Sequence, residues 1–159
     1  MRKEGYQVPQ VEFIFRESGE FVTRTSSELF DGKRVVIFSL PGAFTPTCSA
    51  YQLPGFEENY DTFRNLGIDS IYCISVNDAF TMNAWAQDQN IQNVQLIPDG
   101  NAYFTRSMGQ LVAKTNLGFG ERSWRYAAVV NDRIIEWITE EPGKGDNATE
   151  DPYVATTPE

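Results

Sequence analysis

Hydrophobic residues recur along this chain with two different periods, and the changes of period divide it into elements. Residues 34–40, Arg34-Val35-Val36-Ile37-Phe38-Ser39-Leu40, form a nearly continuous apolar, β-branched run, as expected of a central strand covered on both faces. Residues 69–76 read the same way, and residues 94–97 form a shorter strand closed by Pro98-Asp99-Gly100. Between these runs the spacing lengthens. Tyr51, Phe56, Tyr60 and Phe63 predict a helix over 47–66, kinked at Pro54 and ended by Gly67. Met82, Ala84, Trp85 and Ala86 predict a second helix over 80–89, and residues 102–108 a short third one. Residues 11–15 and 21–24 flank Glu17-Ser18-Gly19-Glu20 as an N-terminal hairpin. Thr25-Ser26-Ser27-Glu28 has capping-box spacing before Leu29-Phe30, and Asp31-Gly32 stops that turn of helix. A last hairpin, 125–130 with 134–139, closes around Asn131-Asp132. Helices alternating with strands, then an antiparallel pair, predict an α/β fold with a central mixed sheet flanked by helices.

The 159 residues, 41% of them hydrophobic, suit one domain over 1–159 with a single core. Residues 140–159 are rich in Pro, Gly and acidic side chains without a periodic apolar face, which predicts a loosely held tail. Twenty-two acidic against 13 basic residues give a net charge of −9, which repels phosphate backbones and anionic lipid and argues against nucleic acid or membrane partners. No apolar run approaches the roughly 20 residues of a membrane span. The start, Met1-Arg2-Lys3-Glu4-Gly5, lacks the apolar stretch of a secretion signal. A cytoplasmic, reducing location is the expectation, because two cysteines, Cys48 and Cys73, are too few for a disulfide scaffold.

The chain contains no histidine. That removes Ser-His-Asp hydrolysis, Cys-His proteolysis and histidine-containing zinc sites. Two cysteines cannot supply a four-thiolate metal site, so no metal is expected. A cysteine enzyme built on this sequence must activate its nucleophile without an imidazole. Leu40-Pro41-Gly42-Ala43-Phe44-Thr45-Pro46-Thr47-Cys48 offers such a route, with Cys48 after a strand-to-loop transition at the first turn of a predicted helix. Unpaired N–H groups and the positive end of the helix dipole favour a thiolate there. The Thr45 hydroxyl, three residues earlier, can donate to and accept from groups on that face, or serve as an ordinary N-cap. Pro41 and Pro46 stiffen the loop, and Phe44 is placed to wall the pocket against water.

The ordered set Pro41, Thr45, Cys48 after a buried strand resembles the atypical, type II branch of the peroxiredoxins, as found in bacterial hybrid peroxiredoxin-glutaredoxin proteins. Ser75-Val76-Asn77-Asp78-Ala79-Phe80 followed by Trp85, then Pro98-Asp99-Gly100 and Leu117-Gly118-Phe119-Gly120, are similar to further blocks of that family. The likeness covers about residues 8–142. It implies a thioredoxin-like fold and a peroxidase without metal or organic cofactor, acting on hydrogen peroxide and small alkyl hydroperoxides. In Arg122-Ser123-Trp124-Arg125-Tyr126-Ala127 the residue resembling the family's catalytic arginine is Arg125; Arg122 is the weaker choice.

The resemblance implies attack of Cys48 on a peroxide oxygen and a sulfenic acid that a thiol later reduces. Some family members use a resolving cysteine in the last third, but no cysteine follows Cys73 here. A one-cysteine cycle is therefore implied, with glutathione and a glutaredoxin as reductant; thioredoxin stays open, and Cys73 remains a second candidate redox thiol or a core residue. A homodimer is also implied, with Phe44, Tyr51 and the region of Phe80 as contact residues. The family closes with a helix after its last strands, and Thr156-Thr157-Pro158-Glu159 reads as a helix start, so a continuation, in some relatives a fused glutaredoxin domain, is expected. Two rivals compete with this reading. A thiol-disulfide oxidoreductase usually needs Cys-x-x-Cys, whereas Ser49-Ala50-Tyr51 follows Cys48. A redox-silent binding or chaperone-like protein on the same fold would not require Thr45, Cys48 and Arg125 together.

Overall fold

A computed structural model describes residues 2–158. Its centre is a five-stranded sheet in the order β5-β4-β3-β8-β9, built from β3 (Arg34–Ser39), β4 (Ser70–Ser75), β5 (Gln95–Pro98), β8 (Tyr126–Asn131) and β9 (Ile134–Glu140). β4 pairs in parallel with both β3 and β5, while β8 is antiparallel to β3 and to β9, so the sheet is mixed as expected. Apolar side chains point both ways from it. Val35, Ile37, Tyr72 and Ile74 join one core with Phe30 and Phe104; Val36, Phe38, Ile71 and Cys73 join the opposite one with Phe56 and Trp85. That two-sided burial is why the central strands are apolar at successive positions between their polar ends rather than at alternate ones.

The N-terminal hairpin is β1 (Glu12–Glu17) with β2 (Glu20–Thr25). Ser18 and Gly19 both have positive φ, 50° and 81°, which gives the two-residue turn whose twist suits a hairpin. The capping box forms as read: the Thr25 hydroxyl accepts from the Glu28 N–H, and the Glu28 carboxylate accepts from the Thr25 N–H, at the start of α1 (Ser26–Phe30). Helix α4 (Ala79–Asp88) is capped by Asp78, whose carboxylate accepts from the Thr81 N–H, and α5 is Tyr103–Ser107. The short hairpin of β6 (Leu111–Ala113) with β7 (Glu121–Ser123) is absent from the sequence reading. Three-residue strands show no period.

Two expectations are corrected. The helix predicted over 47–66 is three pieces: a π-helical turn Cys48–Gln52, α2 (Leu53–Glu58) and α3 (Tyr60–Asn65), with Asn59 non-helical between the last two. Pro54 sits in the first turn of α2, directly after the π-helical turn, so the disturbance expected at this proline is a widened turn just before it, and the break in the helix comes later, at Asn59. The second correction concerns the tail. Residues after β9 pack against the body of the protein, because the buried Glu141 carboxylate accepts from the backbone N–H groups of Val154, Ala155 and Thr156 and from the Thr156 hydroxyl. A side chain capping a loop leaves no hydrophobic period, so composition alone suggested looseness.

Strand direction then decides what meets at one edge of the sheet. Ser39, the last residue of β3, lies opposite Tyr126, the first of β8, which in turn lies opposite Glu140, the last of β9. The loop after β3, residue Arg125 and the tail that starts at Glu141 therefore converge. The Glu141 N–H donates to the Arg125 carbonyl at 3.0 Å and ties two of these segments directly.

Candidate active site

The loop leaving β3 is fixed before it reaches the cysteine. The Ala43 N–H donates to Asn77 Oδ1 at 3.0 Å, and the same oxygen accepts from the Ser75 hydroxyl at 2.6 Å. From the other side Arg122 donates through Nη1 to the Pro41 carbonyl (3.2 Å) and through Nε to the Phe119 carbonyl (3.1 Å). Its guanidinium occupies the space a side chain at 42 would need: a Cβ there would lie 2.5 Å from Arg122 Nη1. Gly42 leaves room for this close approach, and a side chain there would have to displace the far end of Arg122. Arg122 thus buttresses the loop. The loop in turn orients Thr45, whose hydroxyl donates to the Gly42 carbonyl at 2.7 Å.

Helical conformation begins at Pro46, so Thr45 is the residue before it, and the Thr45 carbonyl accepts from the Ser49 N–H at 2.9 Å. Thr45 has the N-cap position, but its hydroxyl turns back into the loop. Among the described residues no hydrogen bond joins that hydroxyl to the Cys48 sulfur. At Cys48 the turn widens, and the Leu53 N–H donates to the Cys48 carbonyl five residues back. Pro54 explains the widening, since it brings no N–H for the Ala50 carbonyl and its ring would press on that group in an α-turn. π-turns of this kind gather at functional sites because they are local weak points in a helix. Trp85 Nε1 pins the turn from α4 by donating to the Ser49 hydroxyl at 2.9 Å. Phe44 has φ of 63° and is half exposed, its ring centroid 6.5 Å from that of Trp85.

Cys48 itself is fully buried. Arg125, only 1% exposed, donates from Nη1 to Cys48 Sγ at 3.3 Å, and the same nitrogen is bonded to Gln52 Oε1. Nη2 donates to Asp151 Oδ1 at 2.6 Å, and the guanidinium carbon lies 5.8 Å from the centre of the Tyr153 ring. Burial works against the Arg125 charge, but the Cys48 sulfur and the Asp151 carboxylate outweigh it and hold the guanidinium above its ordinary pKa. A permanently charged, planar donor is therefore fixed against a sulfur at the start of a helix. Such an arrangement stabilises a thiolate and can donate to an oxygen on which charge develops.

Cys73 lies on β4, fully buried in the same apolar cluster as Cys48. Burial pushes its thiol well above the ordinary value, the neighbouring Cys48 sulfur adds to this, and Arg125 opposes both. Both cysteines are free. Among the described residues no group of three or more His, Cys, Asp or Glu is arranged to hold a metal ion, and no helix is long and apolar enough to cross a membrane.

Three comparisons bear on this site. A family model described as Redoxin matches residues 3–156. A peroxiredoxin of Rhizobium etli is 55% identical over 96% of this chain and 90% of its own length. The chain belongs to the peroxiredoxin family. A hybrid peroxiredoxin, hyPrx5 of Haemophilus influenzae, is 51% identical over 89% of this chain, which spans 58% of that longer relative. Among solved structures, the antioxidant protein (1-Cys peroxiredoxin) of Plasmodium falciparum superposes with a TM-score of 0.95 at 38% identity, over 99% of this chain and 94% of its own. As a peroxiredoxin the protein is an enzyme, a thiol-based peroxidase on a thioredoxin-like fold.

Sequence reasoning singled out Cys48, Thr45, Pro41, Phe44, Cys73 and Arg125, and the structure brings Arg125 to Cys48 from 77 residues away in the chain. It missed Gln52, Asp151, Glu141 and the loop-holding roles of Asn77 and Arg122. Gln52 was within reach, since a residue four after the cysteine shares its helical face. Asp151 and Glu141 were not, because nothing local marks a tail residue as a partner of a distant arginine.

Proposed function

We propose that Cys48 is the peroxidatic nucleophile of this peroxiredoxin and that Arg125 and Thr45 are its catalytic partners. The observation that carries the reading is the 3.3 Å contact of Arg125 Nη1 with Cys48 Sγ at a helix start inside an apolar cluster. The thiolate attacks the terminal oxygen of a hydroperoxide, the S–O bond forms as the O–O bond breaks, and the departing alkoxide or hydroxide takes a proton to leave as alcohol or water. Arg125 donates to the peroxide oxygens as charge moves onto the leaving one. Thr45, its proton given to the Gly42 carbonyl, presents lone pairs that can accept from the hydroperoxide O–H. Pro41 and Phe44 belong to the loop that carries Thr45 to Cys48, with Phe44 exposed beside it, and the substrates proposed are hydrogen peroxide and small alkyl hydroperoxides.

The Cys48 sulfenic acid is reduced in a one-cysteine cycle. Glutathione displaces water to give a mixed disulfide, and a glutaredoxin thiolate then attacks the glutathione sulfur, so that Cys48 leaves as a reduced thiolate and the glutaredoxin takes up the glutathionyl group as its own mixed disulfide. Identity to a hybrid peroxiredoxin supports this reductant and the type II assignment, and likeness to the 1-Cys peroxiredoxin of Plasmodium falciparum supports the single-thiol cycle. Cys73, buried with a strongly raised thiol pKa, acts as a core residue. A homodimer is favoured by the exposed Phe44, Tyr51 and Phe80 around the site.

Peroxide consumption followed by stopped flow with glutathione plus glutaredoxin, or with thioredoxin, tests the reading on wild type, Cys48→Ser and Cys73→Ser. Turnover should vanish only in Cys48→Ser and should depend on glutaredoxin. Loss of turnover in a folded Cys73→Ser would make Cys73 the resolving thiol, and activity with thioredoxin alone would replace the reductant.

A further inference from the structure

The tail from Glu141 onward makes an arch whose two ends meet the active site. Its first residue, Glu141, is tied by its N–H to the Arg125 carbonyl, and its own carbonyl accepts from Trp124 Nε1 at 2.8 Å. The Glu141 side chain is 1% exposed and its carboxylate gathers the N–H groups of Val154, Ala155 and Thr156 at 2.7–3.0 Å. Three successive N–H groups converging on one carboxylate fix the path of the backbone they belong to. Just before that clamp, Asp151 puts Oδ1 2.6 Å from Arg125 Nη2, and Tyr153 places its ring beside the guanidinium. Within the clamp, the Thr156 hydroxyl accepts from Gln52 Nε2 at 3.5 Å. Gln52 is the residue whose Oε1 takes Arg125 Nη1. Arg125 is thus held at one nitrogen by the tail and at the other by a side chain that the tail also touches.

We infer that Asp151 is a positioning residue of the peroxidase reaction, delivered to Arg125 by a strap that Glu141 clamps. The inference rests on the reading of Cys48 and Arg125 given above. A guanidinium has five donors in one plane, and fixing Nη2 fixes the plane in which Nη1 meets the sulfur. Arg125 Nε is buried without a partner among the described residues, so Asp151 and Gln52 are the anchors against rotation of the group. Asp151 is 45% exposed, so it can be changed without opening the core. Its place in the strap, not its own burial, gives it the role.

The test is single-turnover consumption of hydrogen peroxide by pre-reduced enzyme, which needs no added reductant and so is blind to effects on reductant docking. Asp151→Ala should lower the second-order rate constant by about ten-fold, because a small displacement of a donor at the reacting atoms is costly. Asp151→Asn keeps an oxygen facing Nη2 and should stay within about three-fold of wild type; such rescue by the conservative variant distinguishes positioning from general loosening. Glu141→Leu, which removes the acceptor of the strap's three N–H groups, should lose the same factor as Asp151→Ala. The double variant should be no slower than either, because both act through one contact. Wild-type rates in Asp151→Ala, or losses that multiply in the double variant, would overturn the inference. If Cys48→Ser still consumed peroxide, the reading of the site itself would fail; if only Cys48→Ser is inactive while Asp151→Ala is unaffected, the site stands and the strap's role does not.

Discussion

Replacing Arg125 by lysine separates charge from geometry. The guanidinium meets Cys48 Sγ and Gln52 Oε1 through one nitrogen and Asp151 through the other, all from a position 1% exposed. A lysine ammonium retains the positive charge but is one point on a flexible stem, and it cannot span the sulfur and Asp151 together. If it stays near Asp151, the donor to the departing oxygen is lost. Loss of one such donor costs about 2.7–4 kcal/mol of transition-state stabilisation, or about 100- to 1,000-fold in rate at 1.36 kcal/mol per decade. Gln52 loses its partner while fully buried, which costs about 1–3 kcal/mol of folding stability. The assay is single-turnover peroxide consumption, with urea unfolding on the same samples. Arg125→Lys should show both losses. A variant within three-fold of wild type in the oxidative step would mean that charge alone suffices and that the planar donor has no special part in catalysis.

Three further outcomes follow from other contacts. Alkylation of the native protein with iodoacetamide at neutral pH should modify Cys48 and leave Cys73 untouched until denaturant is added, since burial keeps the Cys73 thiol protonated; mass spectrometry reads the sites, and equal labelling would refute it. Gly42→Ala should push Arg122 off the Pro41 carbonyl, costing about 1 kcal/mol and slowing peroxide reduction. Because the displaced group is the far end of Arg122, adding Arg122→Ala should cost little more, and additive losses in the cycle would contradict the contact. Asp99 is buried, and burial raises its carboxyl pKa against the opposing hydrogen bonds from Thr105 and Phe104. The folded state then holds its proton more tightly than the unfolded one, so its contribution is favourable at low pH and is lost as pH rises from the ordinary carboxylate value through the raised one. Unfolding free energies of Asp99→Asn should therefore gain on wild type across that interval, and parallel curves would show that the carboxyl is not shifted.

Different physical signals made some parts of this protein legible in its sequence and hid others. The central strands could be read because both faces of β3 and β4 are buried, so Val35 to Phe38 and Ile71 to Ile74 are apolar without alternation. The Thr25–Glu28 cap could be read because both partners lie within four residues. The loop from Pro41 to Cys48 was legible for a similar reason, as its order is local. The break of the long helix into a π-turn, α2 and α3 was not, because Pro54 announces a disturbance without saying on which side the chain will absorb it. Arg125 came only through family likeness. Asp151 and Glu141 escaped because their partners are 26 and 13–15 residues away, joined by hydrogen bonds that leave no trace in hydrophobic period.

Those long-range contacts also bear on how one sulfur can serve two partners. Cys48 is fully buried, which suits attack on a small peroxide in a site that excludes water but denies access to any thiol as bulky as glutathione. On the proposed one-cysteine cycle, a Cys48 sulfenic acid would be reduced only after the site opens. Two seams flank it: the π-helical turn, a widened turn in its helix, and the strap of residues 151–156, held by polar contacts to Glu141, Arg125 and Gln52. The strap touches Gln52 in the π-turn through Thr156 and Arg125 through Asp151, so displacing one seam loosens the other. Local opening of a polar, partly exposed segment needs far less free energy than global unfolding. Closure for the peroxide and opening for the reductant can therefore be two states of one small region, while the five-stranded sheet beneath it stays fixed.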